Sequence, residues 1–299
     1  MSYLKINPFK IIGQERGKRK YKMDNFFLPS FPVVKDGDSI LFDAKNEDKF
    51  LKEVKIENKK RLEDWLLTQR EENKPSSVKE VFVAQGSKEW LLLRKGLVTA
   101  SKPCFDSKGL PLKTFNEYVN KKVADKFEAE LMGEQLIEEE IEKEFKSKEM
   151  ENGNELEKIA IERYEKLTGN SVVHKGFIKA DNFGVSHDGI TTDDDLNIIN
   201  VEVKNLITNT YLSQILYGTA TKKYYAQMQM QMYTIDCDMT HLVIQCQREK
   251  SLGVQMELLI VKVERDEEFI VNMINTLALF DDEFQKRYKV LKEKIVQDS

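Results

Sequence analysis

Hydrophobic residues recur at two periods along this chain, and the two periods predict helices alternating with strands after residue 80. Helical spacing runs through FNEYVNKKVADKFEAELM and through ELEKIAIERYEKLTG, where Gly169 is the predicted helix end. Alternating or continuous apolar positions predict strands in four segments: FGVSHDGIT, NIINVEVKNL, THLVIQCQ and MELLIVKVE. This alternation indicates a mixed α/β domain.

Three other segments carry distinct patterns. The last is a long helix whose apolar positions form one stripe, expected to pack onto the sheet: Phe269, Met273, Leu277, Phe280, Phe284, Tyr288 and Leu291. Residues 134–149 predict an acidic, solvated helix. In QMQMQMYTI, polar and apolar residues alternate with a period of two, and this alternation alone predicts a half-buried strand.

Residues 1–79 form an N-terminal extension of a different character. Residues 1–22 are strongly basic and predict a flexible basic arm, with a solvated tail as the alternative. FFLPSFPVV and SILFD predict short strands, and residues 47–73 predict an amphipathic helix. NKPSS, residues 73–77, is the predicted linker to a second domain over residues 80–299.

Composition excludes several classes of protein. The chain has 299 residues, 40% of them hydrophobic, which is enough for an ordinary core. A net charge of -4 means that any DNA-binding surface must be a local basic patch. Cys104, Cys237 and Cys246 are scattered, which argues against disulfides, zinc and iron–sulfur clusters and fits a reducing cytoplasm. We expect no membrane span and no signal peptide.

The candidate chemistry lies where GVSHDGI is followed by a turn and by INVEVKN. A hairpin would bring Asp188 beside Glu202, with Lys204 one strand step away on the same polar face. Two carboxylates suit Mg²⁺, and an ammonium can orient the attacking water, so this set is suited to phosphodiester hydrolysis. The alternative is an ordinary wet sheet face beside an acidic turn.

These residues resemble the PD-(D/E)XK nuclease motif, and their surroundings resemble the YqaJ-type viral recombinase family, to which lambda-type exonucleases belong. Three further segments support the resemblance in the family's order: GSKEWLLLRKGLVTAS, MENGNELEKIAIERYEKLTG and YYAQMQMQMY. The resemblance covers residues 80–265. It implies an α/β, restriction-endonuclease-like core, with a central mixed β-sheet flanked by helices, and a helix for YYAQMQMQMY.

The resemblance also implies a role for each matching residue. Asp188, Glu202 and the carbonyl of Val203 would bind the metal, Glu157 would complete the metal shell, and Lys204 would orient or activate the water. Glu157 lies near the apolar face of its helix, although a solvated helix surface is the alternative for it.

Further residues are assigned in the same way. Gln229 would lie near the nucleophilic water, with Gln227 a weaker candidate, and Arg94 and Ser101 would hold the DNA 5′-phosphate. We expect Trp90 to be a core anchor.

One position departs from the family's pattern, because His187 stands where the family usually has proline. Loss of the fixed φ could loosen the approach to Asp188. We expect His187 to lie behind the ligands or to face solvent, and not to act as a catalyst.

The implied activity is that of a Mg²⁺-dependent exonuclease, with Mn²⁺ able to substitute, that degrades one strand of linear double-stranded DNA 5′ to 3′. The 3′ overhang would pass to a single-strand annealing recombinase in phage-type homologous recombination. The resemblance further implies a homo-oligomeric ring, most simply a trimer, and a phage or prophage protein in the cytoplasm of a bacterial host. A ring could line its channel with basic residues although the chain is acidic overall.

Two other functions stay open: a DNA-end or partner-binding protein that does not cut, and a PD-(D/E)XK endonuclease. The intact set of Asp188, Glu202 and Lys204 favours an enzyme, and the segment from Trp90 to Ser101 favours an exonuclease. Residues 1–79 could be a folded part of the ring's rim, a docking site for the annealing partner or an arm that grips DNA.

Overall fold

The computed structural model describes residues 10–15, 18–22, 34–36, 39–43, 78–83, 85–133, 148–174, 176–193 and 197–295. The chain divides into two units, Met1–Gln69 and Arg70–Ser299. The predicted domain boundary after residue 79 stays a prediction. The predicted amphipathic helix, the linker at 73–77 and most of the acidic helix lie outside the described residues.

The first unit contains a four-stranded sheet in the order β1-β2-β4-β3, with every pair antiparallel. Its strands are β1 (Lys10–Glu15), β2 (Lys18–Lys22), β3 (Val34–Asp36) and β4 (Ser39–Asp43). The strand predicted in SILFD is confirmed as β4. The prediction of a flexible arm over residues 1–22 is wrong where β1 and β2 form. Strand pairing uses backbone hydrogen bonds, and basic side chains do not prevent it.

The second unit is a mixed α/β fold. Its strands are β5 (Lys79–Val81), β6 (Val98–Thr99), β7 (Phe177–Lys179), β8 (Phe183–Val185), β9 (Gly189–Thr192), β10 (Ile198–Leu206), β11 (Met239–Cys246) and β12 (Leu259–Glu264). Its helices are α1 (Lys88–Leu93), α2 (Phe115–Met132), α3 (Lys148–Thr168), α4 (Thr208–Tyr217), α5 (Thr219–Ile235), α6 (Glu249–Leu252) and α7 (Glu267–Lys292). Within the described ranges, none of the helices has the length and apolar character needed to cross a membrane.

These strands form two mixed sheets, in the orders β12-β11-β10-β9 and β5-β7-β8-β6. In the first sheet β10 and β11 run parallel, and the outer pairs are antiparallel. The predicted mixed sheet flanked by helices is therefore confirmed, with a second mixed sheet beside it. FGVSHDGIT, predicted as one strand, is divided between the two sheets, since β8 ends at Val185 and β9 begins at Gly189. Asp188 lies in this short connection.

Helix α5 resolves the ambiguous segment. QMQMQMYTI is helical, so the strand predicted from its alternation is wrong and the helix implied by the resemblance is confirmed. Residues two apart on a helix point about 200° apart, so successive methionines face opposite sides. Met230 packs into one apolar cluster, and Met228 and Met232 pack into another. The period of two arises because the helix lies between two apolar clusters.

The long C-terminal helix α7 packs its apolar stripe inside its own unit. Met273 and Phe280 are buried and share a cluster with Val119 of α2, Phe183 of β8 and Tyr233 of α5. The stripe therefore contacts two helices as well as a sheet, whereas the sequence predicted packing on the sheet alone. This apolar cluster packs against one of the two sides of α5.

Candidate active site

Strands β9 and β10 form the predicted hairpin, in which Gly189 pairs with Val201. Asp188 comes directly before β9, and its Oδ2 accepts a hydrogen bond from the backbone N–H of Val203 at 2.8 Å. A side chain at Gly189 would have to displace that of Val172, because its Cβ would lie 2.2 Å from Cγ1 of Val172. The hairpin thus holds Asp188 against the middle of β10.

The polar face of β10 is buried at Asn200 and Glu202, unlike the wet sheet face that was the alternative. Asn200 is 0% exposed and Glu202 is 1% exposed. Helix α5 covers this face: Gln227 Nε2 donates to Glu202 Oε1 at 2.6 Å, and Gln231 Nε2 donates to Glu202 Oε2 at 2.5 Å. Both oxygens of the carboxylate are therefore held by amides of one helix.

Lys204 lies on the same face of β10 and is kept charged by its neighbours. Its Nζ contacts Oε1 of Glu202 and lies 4.7 Å from the centre of the Tyr224 ring. Burial acts to lower the pKa of this lysine, but the charges of Glu202 and Asp188 outweigh burial and raise its pKa above the ordinary value. Lys204 is therefore suited to donate to a water or a phosphate oxygen, not to take up a proton.

The charge of a third carboxylate, that of Glu157, interacts with Asp188 and Glu202. Glu157 is on α3, where Ala160 packs with Val203 of β10 in one apolar cluster. Burial, and then the charge of Glu202, raise the pKa of Glu157 above its ordinary value and that of Asp188 well above it. Carboxylates that resist ionisation in this way mark a place where negative charge is crowded.

This donor set fits a hard divalent cation. All the candidate donors are oxygens, and a bound cation would relieve the repulsion that raises the two pKa values. Across the described residues, no three His, Cys, Asp or Glu side chains form a group that could hold a metal ion. The prediction that Asp188 and Glu202 bind the ion stays a prediction, with the Val203 carbonyl, water and Glu157 as further candidates. Mg²⁺ commonly takes one or two carboxylates and keeps several waters.

Arg94 and Ser101 form a second polar group. Arg94 Nη2 donates to Ser101 Oγ at 3.1 Å, and the guanidinium carbon lies 3.8 Å from the centre of the Trp90 ring. Trp90 is 8% exposed, and its Nε1 donates to Ser186 Oγ at 3.2 Å. Trp90 is thus the core anchor that the sequence predicted, and it also restricts the plane of Arg94.

One cleft of about 250 Å³ is lined both by the carboxylates of Asp188 and Glu202 with Lys204 and by the Arg94–Ser101 pair. The residues that line it include Trp90, Arg94, Ser101, Asp188, Glu202, Lys204, Tyr224 and Gln227. Most of the predicted site residues therefore meet at one surface, although they come from segments as distant as α1, the β8–β9 connection, β10 and α5.

Gln229 does not lie at this cleft, and its predicted place beside the water is wrong. Its Nε2 donates to the carbonyl of Glu264, and its Oε1 accepts from the N–H of Asp266, both at 2.8 Å. These bonds join the end of β12 to the start of α7. Residues four apart share a helix face whereas residues two apart do not, so Gln227 and Gln231 are the pair that meets the carboxylate.

Gln231 and Tyr224 are site residues that were not predicted from the sequence. Both lie on the face of α5 that carries Gln227, at spacings of four and three residues. A helix assigned to this segment would have been enough to find them. The alternation of glutamine and methionine concealed that signal.

His187 is buried, so the expectation that it faces solvent is wrong. Its Nδ1 lies 2.8 Å from Oδ1 of Asn200, and its Nε2 lies 3.1 Å from Oγ1 of Thr234. It therefore lies behind the carboxylates, which was the other position expected for it.

Comparison with known proteins finds a matching family and similar solved structures. A family model described as the YqaJ-like viral recombinase domain matches residues 89–238. The crystal structure of LHK-Exo in complex with dAMP is similar at a TM-score of 0.55 and 26% identity, covering 70% of this chain and 97% of that chain. A second structure of LHK-Exo, an alkaline exonuclease from Laribacter hongkongensis, has a TM-score of 0.53, 24% identity and the same coverage. No curated protein matches the chain.

The matched region spans half of the chain and contains every residue named above as lining the cleft. It also contains Glu157 on α3 and Gln231 on α5. The chain belongs to the YqaJ-like viral recombinase family.

Proposed function

We propose that this chain is a Mg²⁺-dependent exonuclease, with Mn²⁺ able to substitute, that degrades one strand of linear duplex DNA from the 5′ end towards the 3′ end. One observation carries the proposal: the carboxylate pair, Lys204 and the Arg94–Ser101 pair line one small cleft. Membership of the family and similarity to an alkaline exonuclease support nuclease activity.

The cleft residues suit hydrolysis of a phosphodiester. A bound Mg²⁺ would lower the pKa of a water and offset charge on the phosphate. Lys204, as an ammonium, would donate to that water or to the oxygens on which negative charge develops. Gln227 and Gln231 hold both oxygens of Glu202, so this carboxylate is oriented before substrate arrives.

Arg94 and Ser101 would bind the phosphate at the strand end. A guanidinium can donate two parallel hydrogen bonds to phosphate oxygens, and a hydroxyl adds another donor. The stacking of Arg94 on Trp90 restricts the plane of that fork.

The product and the assembly are part of the same proposal. The 3′ overhang would be passed to a single-strand annealing recombinase, in a phage or prophage context in the bacterial cytoplasm. The description of the family as a viral recombinase domain supports a recombination role. We also propose a ring of copies, most simply a trimer, which analytical ultracentrifugation would test.

The decisive experiment is digestion of linear duplex DNA labelled at either end, with and without Mg²⁺, beside a closed circular control. We expect the wild type to release the 5′ label only with metal and to spare the circle. Lys204→Ala should be slower by about 100-fold or more, because it removes the cation that meets developing charge.

Two outcomes would favour the other functions. Cutting of the closed circle would favour an endonuclease. Binding of ends without cutting, under Mg²⁺ and under Mn²⁺, would favour an end-binding protein. Arg94→Ala tests the phosphate site separately, since it should abolish the preference for 5′-phosphorylated over 5′-hydroxyl ends.

A further inference from the structure

A chain of buried side chains runs from Glu202 into the interior. Gln231 Nε2 donates to Glu202 Oε2 at 2.5 Å and to the carbonyl of Ser186 at 3.0 Å. Asn200 Nδ2 donates to Gln231 Oε1 at 3.1 Å, and Asn200 Oδ1 faces His187 Nδ1 at 2.8 Å. The proposed chemistry of the cleft uses Glu202 and Gln231 and assigns no role to Asn200 or His187.

Each hydrogen bond in this series of buried side chains has only one possible donor. The Nε2 of Gln231 lies between a carboxylate and a carbonyl, so turning its amide round would set an oxygen against two acceptors. Gln231 Oε1 must then accept from Asn200, and Asn200 must present Oδ1 to His187. A hydrogen bond between Oδ1 and Nδ1 requires a proton on Nδ1. The charge of Glu202 therefore requires, through two amides, a proton on Nδ1 of His187.

Burial makes the chain cooperative. Gln231 and Asn200 are 0% exposed, and His187 is 3% exposed, so water cannot replace a lost partner. Asn200 Nδ2 also donates to Thr240 Oγ1 at 3.1 Å, which ties the middle of the chain to β11. Without the N–H of His187, Asn200 Oδ1 would be a buried acceptor with its strongest partner missing, and the amide would gain by turning. Gln231 would then lose the partner that fixes its own amide.

We propose that His187 is a positioning residue for the nuclease centre: its Nδ1–H locks Asn200 and Gln231 in one orientation, and these two residues hold the Glu202 carboxylate in place. This inference rests on the proposed function for its effect on catalysis. The protonated Nδ1 that it requires can be measured without any catalysis.

The kinetic test compares His187→Leu with His187→Asn. Leucine is of similar size and has no donor, whereas the amide nitrogen of asparagine lies near the position of Nδ1. We expect His187→Leu to lower kcat roughly tenfold and to raise the Mg²⁺ concentration at half-maximal rate, with KM for DNA unchanged. His187→Asn should recover most of that loss. A wild-type kcat in the leucine variant, or equal losses in both, would overturn the proposal.

The second test is NMR of the full-length protein with ¹⁵N-labelled histidine. The chain has only 3 histidines, so the His187 signals are those missing from the His187→Asn variant. We expect Nδ1 to carry a proton. A bare Nδ1 with the proton on Nε2 would overturn the proposal. Should the wild type cut no DNA, or should His187→Leu fail to fold, this measurement decides about the hydrogen-bond chain on its own.

Discussion

At Asp188 the requirements of the proposed chemistry and of stability oppose one another. Its carboxylate is partly buried, and burial together with the charge of Glu202 raises its pKa. The metal-free protein must therefore fold against like-charge repulsion. An asparagine would keep an oxygen that accepts the N–H of Val203 and would remove the charge.

We therefore expect Asp188→Asn to raise the free energy of unfolding of the metal-free protein by roughly 1 kcal/mol and to abolish cleavage. Mg²⁺ should stabilise the wild type, because a ligand of the folded state shifts the folding equilibrium, and the variant should lose most of this gain. Urea denaturation with and without Mg²⁺ measures both effects. Asp193→Asn, in the β9–β10 turn, is the matched control. Equal Mg²⁺ stabilisation of the two variants would contradict the metal site.

Single residues also show which parts of the site are predictable from the sequence. Asp188, Glu202 and Lys204 were predicted together because a short hairpin joins them, and such pairing is a local property of the chain. The buried face of β10 was not predictable in this way, since the residues that cover it, Gln227 and Gln231, come from a helix more than 20 residues later.

At the scale of elements, α5 separates two kinds of glutamine. Gln229 satisfies the Asp266 N–H and the Glu264 carbonyl inside the fold, whereas Gln227 meets Glu202 at the cleft. We expect Gln229→Ala to lower the free energy of unfolding by about 2 kcal/mol, because it leaves two backbone groups unpaired. Gln227→Ala should cost little stability and should lower kcat.

Urea denaturation and initial rates on the same two variants measure this difference. Each variant serves as the control for the other, since both remove one amide from the same helix. Loss of activity in Gln229→Ala at undiminished stability would restore the role that the sequence predicted for it.

The contact between α3 and β11 gives the protein a defined response to acid. Tyr164 and Nδ1 of His241 share a hydrogen bond at 2.6 Å. Burial and then the charge of Lys262 lower the pKa of His241 below its ordinary value of 6.5. Below pH 6.5 the unfolded chain binds a proton at this histidine that the folded chain resists. The free energy of unfolding therefore decreases as the pH is lowered below 6.5, and this effect is absent above that pH.

We expect His241→Gln to flatten this decline between about pH 6.5 and pH 5. Urea denaturation at stepped pH gives the slope. His174→Gln, at an exposed position, is the matched substitution. A slope in His241→Gln that equals the wild-type slope would show that other groups govern acid sensitivity.

At the scale of the whole molecule, the basic N-terminal segment is a folded part of the first unit over β1 and β2. Deletion of residues 1–22 would remove two strands of its sheet, so substitution is the cleaner test of DNA contact. The first variant changes three lysines of β2 to glutamine: Lys18, Lys20 and Lys22. A control variant makes the same change at three exposed lysines at the C-terminal end of the chain: Lys286, Lys289 and Lys294.

If β2 contacts the phosphate backbone, each lysine removed should reduce the steepness of the fall of log K with log salt concentration by about 0.9. The control variant has the same net charge and should keep the wild-type slope. Fluorescence anisotropy with labelled duplex DNA at several salt concentrations measures both. An unchanged slope in the β2 variant would remove the DNA-gripping role of this segment.

The whole-molecule arrangement was the least predictable from sequence. Helix and strand periods located most elements of the second unit, because those periods are local. The division of the strands into two sheets was not predicted, since β6 pairs with β8, and β10 with β11, across long stretches of chain. The helix in QMQMQMYTI was not predictable from its pattern for the same reason. Its methionines alternate because they pack into two apolar clusters, and these clusters form only in the folded chain.

The arrangement of α5 also limits how this protein can change in evolution. One inserted residue rotates every later position of a helix by about 100°. An insertion after Gln227 would move Gln231 away from its carboxylate, bring methionine into the polar interior and break the tie made by Gln229. Substitutions such as Met230→Leu leave every residue at its angular position around the helix and should survive selection. Among natural relatives and in mutant libraries alike, we expect α5 to vary by substitution and to keep its length.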